Sequence, residues 1–495
     1  MGRVPARGGR RRCDDLLMEQ SRTDAVGAAW RALGGDPADV AQLDLRGPAG
    51  VLPSRLPVTD LAVACVAAAG LAGLELARAR GAAPSGPLTV DSRAVAVAFT
   101  SERHLRLDGR AFTGFAPLSR FWPAADGWVR THANYPHHRQ RLLTALGLDP
   151  AAPDDDALAA AVADRIRVHP AAEVEERVYA AGGLAVSART PRQWDEHPQA
   201  AAVAAEPLVR VARDAPTPPR PGAPPPPGRP ATGIRVLDLT RVIAGPVATR
   251  FLALLGADVL RVDPPGLPEI DGQHLDTGAG KRSTLLDLSR PADRDRFDAL
   301  LAEADVVVAG YRPGALDRWG LAPQALRRHR PDLVLAYLSA WGRAGPWADR
   351  RGFDSLVQAA TGIAEVERRP DGGPGTLPAQ ALDHGAGYLL AAAVLRALAA
   401  RAGTGGAWTV ELSLARLARW LRHELPAGPA TAGTAPEPDA WCAERDAPAG
   451  HLRYALPPVS LPDGPRTWAT PPTRWGGDPP RWRDEPDLAA SCGDR

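Results

Sequence analysis

Cysteine is scarce in this chain: four residues in 495, Cys13, Cys65, Cys442 and Cys492, none of them spaced as metal ligands are. That excludes the disulfide framework of a small secreted domain and favours a reducing, cytoplasmic setting. An excess of charge of one sign is also missing. The net charge is +2, and no basic stripe interleaved with aromatics is present, so no nucleic-acid partner is expected. Long hydrophobic runs are missing too. The longest, residues 61–74 and 385–395, fall short of the roughly 20 residues that a bilayer requires. Both are alanine-rich and read as buried helices, with no membrane partner. Residues 1–17 are rich in arginine and glycine without the apolar core of a secretory signal. They are expected to be a disordered extension, with Met18, just before a helical pattern, as an alternative start.

Proline and glycine are plentiful instead, 51 and 49 residues, and they concentrate in loops and tails. The densest cluster, residues 215–232, cannot sustain helix or sheet ladders and reads as a semi-rigid linker. It separates an N-terminal half, 18–214, from a segment at 233–425, and an irregular tail follows at 426–495. The 233–425 segment alternates strand and helix patterns. Strands are expected at 235–239, 259–262, 284–288, 305–309 and 333–338, with helices at 247–255, 291–303 and 314–329. Such alternation predicts an α/β fold around a parallel, Rossmann-like sheet. The N-terminal half reads as a smaller α+β domain, with helices at 25–33 and from Asp60 to about Arg80, and short strands at 88–90 and 95–98.

The most informative stretch is 234–265, which reads strand, turn, helix, strand, with Asp263 ending the second strand. Its turn, Arg241-Val242-Ile243-Ala244-Gly245-Pro246, has one glycine and a proline suited to the start of a helix. A dinucleotide fold needs G-x-G-x-x-G at this place, so NAD is not expected. An internal echo links the halves. Asp60 opens an alanine-rich helix that leads to Thr89-Val90-Asp91, and Asp383 opens another that leads to Thr409-Val410-Glu411. Read locally, each aspartate is a helix cap, and the pair is either a duplicated element or a coincidence of alanine-rich sequence.

Ordered blocks then accumulate over about 233–415. They are Val236-Leu237-Asp238-Leu239 with Ala244-Gly245-Pro246, Leu255-Gly256-Ala257-Asp258, Lys281-Arg282-Ser283, Arg312-Pro313-Gly314, Trp341-Gly342, Gly352-Phe353-Asp354 and Leu382-Asp383. In these the chain resembles the family III CoA-transferases (CaiB/BaiF type, including formyl-CoA and carnitine CoA-transferases). The N-terminal half, through Asp126-Gly127-Trp128 and Gln193-Trp194, resembles that family's small domain. That domain normally follows the catalytic aspartate, so the order here is that of a rearranged or truncated tandem.

The resemblance implies a CoA-transferase moving CoA from an acyl-CoA to a carboxylic acid acceptor, with the CoA thioester as substrate and no permanently bound cofactor or metal. Asp383 would be the nucleophile, forming an aspartyl anhydride and then an aspartyl-CoA thioester. Gly385 and Gly387 would leave room for the intermediate and offer donors to its oxyanion. Val242, Ile243 and Ala244 would cradle CoA, with Arg318, Lys281 and Arg282 as cations for it. Asp354 would either orient the site or cap a helix. Relatives of this type form interlocked homodimers, so a homodimer is expected. Pro264 departs from the family, because some relatives place a basic residue there. Trp122, Phe121 and Trp341 point either to a hydrophobic acid or to core packing. Two other readings stand beside transfer: a non-catalytic CoA-binding scaffold, and an α-methylacyl-CoA racemase, which Phe353 disfavours because a histidine would be needed in its place.

Overall fold

In the computed structural model, residues 7–426 and 433–483 are described, and of residues 7–19 only the backbone. The centre is a seven-stranded sheet. Its order is Arg282–Leu285, Asp258–Asp263, Arg235–Leu239, Val306–Ala309, Val334–Ser339, Ala407–Ser413 and finally Arg210–Ala215. The first six strands run parallel and the last is antiparallel. Valine and leucine runs such as Val306-Val307-Val308 are buried on both faces, as a parallel sheet between helical layers demands. The chain order along the sheet reverses between Arg235–Leu239 and Val306–Ala309. A crevice opens beyond the carboxyl ends of strands at such a switch point.

The expected parallel α/β sheet is therefore present, and strand 235–239 has the boundaries anticipated. Four local expectations are corrected. Residues 95–98 are not a strand; they lie in helix Ser92–Phe99, whose first turn is capped by the Asp91 carboxylate accepting from the Arg93 N–H at 2.9 Å. The helix expected over 314–329 breaks into a short 3-10 turn, Asp317–Trp319, and helix Pro323–His329, with Gly320 left-handed between them. The tail is not wholly irregular. Cys442–Ala447 and Gly450–Ala455 form a hairpin that pairs with Arg106–Leu107, and Trp468 and Trp482 bury themselves against the sheet layer. At the other end, the expected disordered extension is helical from Arg7 onward, within Arg7–Ala32, and residues 1–6 lie outside the described residues.

The two echoing helices, Val58–Ala79 and Ala381–Thr404, pack along each other in the middle of the molecule. Both are long and apolar enough to cross a membrane, yet 89% of each apolar window is buried inside the fold. Each leads into a strand paired in parallel with an earlier one: Leu88–Asp91 beside Leu43–Arg46, and Ala407–Ser413 beside Val334–Ser339. Glycine makes the close approach possible. A Cβ at Gly385 would come within 3.1 Å of Leu61 on the facing helix.

Residues 118–187 build a separate small core. Strands Phe121–Pro123, Trp128–Thr131 and Ala185–Ser187 form an antiparallel sheet, covered by helices that bury Leu142, Val162 and Val174. One edge of this unit faces the crevice of the large sheet. Tyr135 donates to Glu269, and the His132 ring stacks on Phe353 with centroids 3.9 Å apart.

Candidate functional site

The crevice at the switch point is a cleft of about 770 Å³. One wall is the turn Arg241 to Gly245 and the loop from Gly310 to Trp319, both at carboxyl ends of parallel strands. The other is the small unit, through Tyr135, His137, His138 and Arg141. Asp383 and Phe353 lie along the seam. One chain thus supplies both walls.

The turn is held under strain. Val242 has φ 71°, a left-handed conformation that a β-branched residue adopts only when its surroundings enforce it. The enforcing group is Glu269, which accepts the Val242 N–H at 3.1 Å. Glu269 is buried, and burial alone would raise its pKa. Arg261 at 2.7 Å and the Arg241 guanidinium overcome that and hold it at about 2. Asp263 joins the same network, 2.6 Å from Arg261 and accepting from the Trp475 indole at 3.0 Å. Helix Ala244–Leu254 begins two residues after the strained one, with Ile243 at its N-cap. Its first turn, Ala244 and Gly245, faces the cleft with Ile243, where unpaired N–H groups and the helix dipole favour an anion.

Asp383 is the third residue of helix Ala381–Thr404, not its cap. It is buried, and its carboxylate has no hydrogen-bond or ion-pair partner among the described residues while it lines the cleft. Asp354, at the start of helix Asp354–Ala360, is not a cap either. It accepts the Asp383 N–H at 2.9 Å and a hydrogen bond from Gln358. The first turn of the long helix is thereby fixed to its neighbour. Burial first, and then the negative charge of Asp354, push the Asp383 pKa well above the usual carboxylate range. Asp354 is raised to about 6 by burial, moderated by the donors it accepts.

Val242, Ile243, Ala244, Arg318 and Asp383 are thus brought together in one cleft, and Pro264 lies there too. Arg318 is exposed at the rim, its guanidinium 5.0 Å from the Trp319 ring centroid. Four other expected residues are elsewhere. Lys281 is buried, bound to Asp238 at 3.0 Å and to the Thr249 hydroxyl at 3.0 Å. Burial lowers its pKa to about 8 against the pull of Asp238. Arg282 forks onto both oxygens of Asp258 at 2.9 and 3.0 Å. Both cations tie strands and helices together and do not line the cleft. Gly385 and Gly387 do not line it either. They sit inside the helix, where their N–H groups belong to the i→i−4 ladder. A Cβ on Gly387 would meet the Ala244 carbonyl at 2.6 Å, so this glycine lets the long helix lie against the strained turn. Trp122 and Trp341 are buried in cores and do not reach the cleft. His384 is also turned away, stacked on Phe99 with centroids 5.2 Å apart.

Sequence reasoning missed Tyr135, His137, His138, Arg141, Glu269 and Arg351. For Tyr135, His137 and His138 the signal was Tyr135-Pro136-His137-His138, a proline-opened helix soon after a strand, but nothing local says which wall it faces.

The chain matches the model of CoA-transferase family III over residues 232–450. It is 36% identical over 201 residues to a Mycobacterium tuberculosis protein named Probable fatty acyl-CoA transferase, an alignment covering 38% of this chain and 51% of that protein. A Gibberella moniliformis acyl-CoA transferase is 27% identical over 396 residues, 72% of this chain and 70% of its own, so that likeness extends into the N-terminal half. A solved M. tuberculosis structure, titled a hypothetical protein, is 37% identical, with 40% of this chain and 58% of that one covered at a TM-score of 0.38. The chain spans about half the length of the first of these relatives. Over residues 232–450 the chain is thus similar to CoA-transferase family III.

Proposed function

We propose that this protein moves CoA from an acyl-CoA thioester to a carboxylic acid, with Asp383 as the covalent carrier. The observation that carries the reading is the Asp383 carboxylate itself: buried, without a protein partner, and open to the cleft that begins at the strained turn. A structural aspartate would be paired. This one is kept free at an energetic cost, and its raised pKa makes the ionised form a stronger nucleophile.

The steps balance without further reagents. An Asp383 oxygen attacks the thioester carbonyl carbon, the C–S bond breaks, and CoA leaves as thiolate from a mixed anhydride. The thiolate attacks the Asp383 carbonyl carbon, releasing the donor acid and leaving an aspartyl-CoA thioester. The acceptor carboxylate then attacks this thioester, and the returning thiolate takes the acceptor acyl group and frees Asp383. Each tetrahedral intermediate places negative charge near the first turn of helix Ala244–Leu254, whose N–H groups suit it. Val242, Ile243 and Ala244 lie where they would hold the CoA tail, with Arg318 at the rim for its phosphates. A reducing cytoplasm, which the scarce and scattered cysteines favour, is the setting of this reading.

One observation favours a second reading, α-proton exchange. His138 lines the cleft near Phe353, ring centroids 5.8 Å apart, so an imidazole is present beside the residue that lacks one. Burial lowers the pKa of His138 to about 2 and that of His132 to about 3. Such weak bases are poorly matched to an α-proton, so transfer is the better reading. Incubation with an acyl-CoA and hydroxylamine tests it. The expected product is a hydroxamate at Asp383, found by peptide mass spectrometry. Solvent deuterium entering the α-carbon with no hydroxamate would replace transfer by proton exchange. CoA binding with neither signal would leave a scaffold.

A further inference from the structure

Asp354 holds Asp383 through its N–H at 2.9 Å, but the next residue of the same helical turn is left without a polar partner. His384 is wholly buried, on the side turned away from the cleft, with its ring stacked on Phe99. Stacking satisfies the face of the ring only. Neither Nδ1 nor Nε2 has a hydrogen-bond partner among the described residues. A neutral imidazole carries one donor and one acceptor, and each left unmade inside a protein is costly. One group faces this gap. Glu102 lies on helix Ser101–His104, just after Phe99. It turns Oε1 to Arg103 Nε at 3.4 Å and Oε2 inward, 4.0 Å from His384 Nε2. That inner oxygen is buried and has no hydrogen bond either. Phe99 and Glu102 both come from the N-terminal half, outside residues 232–450.

A separation of 4.0 Å is too long for a direct hydrogen bond and suits one bridging water, which needs two or more polar partners. We infer that Glu102 is a positioning residue for Asp383: through one ordered water it holds the His384 ring, and so pins the first turn of the long helix from behind. This rests on the transfer reading, in which a nucleophile must be kept close to its line of attack. The surroundings favour a neutral bridge. His384 stays uncharged, since burial, then Arg250 and Arg103, hold its pKa at about 3. Glu102 is raised to about 7 by burial and by Asp276, whose carboxylate accepts from the Ser101 hydroxyl at 2.7 Å. Arg250, on helix Ala244–Leu254, stands 3.7 Å from Asp276, and burial keeps the Tyr388 phenol protonated. His104, on the same short helix as Glu102, is 3.0 Å from the Thr100 hydroxyl. Glu102 therefore carries its proton below about pH 7 and loses it above.

Kinetics and hydrogen exchange of the full chain test the inference. With acetyl-CoA as donor and propionate as acceptor, E102L is expected to lose about tenfold or more in kcat, with KM within about twofold. E102Q, whose amide still bonds a water, is expected to recover most of that loss. The wild-type kcat profile is expected to bend near pH 7, where Glu102 changes charge, and the E102Q profile to lack that bend. Amides of residues 382–387 are expected to exchange about fivefold or more faster in E102L, with 395–402 unchanged, a readout that needs no turnover. Wild-type kcat in E102L overturns the proposal. So does faster exchange along the whole helix with E102Q no better than E102L, which would make Glu102 a stabilising residue and nothing more. Should E102L fail to fold, an E102Q profile that keeps the bend overturns it, and one without the bend supports it. If the unaltered chain yields no hydroxamate at Asp383, the transfer reading falls, and the exchange pattern alone upholds or overturns the grip on the helix.

Discussion

At the scale of single residues, the proposed chemistry rests on one carboxylate without a protein partner among the described residues, and its cost can be read from pH. The folded pKa of Asp383 is raised, so its protonated form is favoured in the fold. The stability linked to it is complete below the unfolded value near 4 and is lost as pH climbs through the folded value. D383N removes the titration and also relieves Asp354 of a neighbouring charge. Thermal unfolding between pH 5 and 8 is expected to show the wild-type chain losing stability relative to D383N as the pH rises. The same variant is expected to lose transfer activity by about 10³-fold or more. A variant equally stable across that range would mean that the carboxylate is better solvated than its burial implies.

Lys281 is the converse case. The resemblance made it a CoA ligand, but its ammonium is spent inside the protein on Asp238 and Thr249. K281M leaves Asp238 buried without its cation and is expected to destabilise the fold by about 3 kcal/mol, with CoA affinity in the surviving folded protein unchanged by calorimetry. Asp383 was singled out by its motif position, and the structure places it on the cleft. Lys281 was misread because a cation in a loop looks the same from the sequence whether it faces solvent or a buried acid. Arg141 and Arg351 were invisible for a different reason: both line the cleft while donating to the Gly182 carbonyl, 41 residues from one and 169 from the other.

Among the elements, the parallel strands were the most legible, because a strand buried on both faces is a short unbroken apolar run and few other structures need one. Residues 95–98, expected as a strand, and 314–329, expected as one helix, were misjudged because local cues were passed over. In the first, Asp91 caps a helix; in the second, Gly320 breaks one. The glycines of the long helix were assigned to chemistry when they serve packing. Gly387 lies 2.6 Å, measured from an ideal Cβ, from the Ala244 carbonyl, which is backbone and cannot swing aside. G387A must push helix Ala381–Thr404 off the strained turn. It is expected to cost about 1–3 kcal/mol in denaturant unfolding and to lower activity as well, because Asp383 and Ala244 part company. G403A, where a Cβ meets nothing within 4 Å, is the matched control in the same helix and is expected to be neutral or slightly stabilising.

For the whole molecule, the decisive fact is that one chain supplies both walls of the cleft. The small unit precedes the sheet in sequence, yet its Tyr135 and His132 reach across to Glu269 and Phe353. The resemblance led to the expectation of an interlocked homodimer, in which walls are exchanged between copies. The tandem of long helices, Val58–Ala79 against Ala381–Thr404, brings two echoing units together inside one chain. If this arrangement holds in solution, damage to the two walls cannot be repaired by mixing chains. D383N damages the sheet side, and Y135A, which removes the small unit's hydrogen bond to Glu269 behind the strained turn, damages the other. Co-expressed and purified together through different tags, the pair is expected to show no more activity than the sum of the two alone. Recovery toward a quarter to a half of wild-type activity would require a cleft assembled from two copies, because only such an assembly can carry an intact wall from each. Light scattering of the co-purified material would then show whether the active species is the dimer, and a monomeric wild-type enzyme with full activity would settle the matter in favour of the single chain.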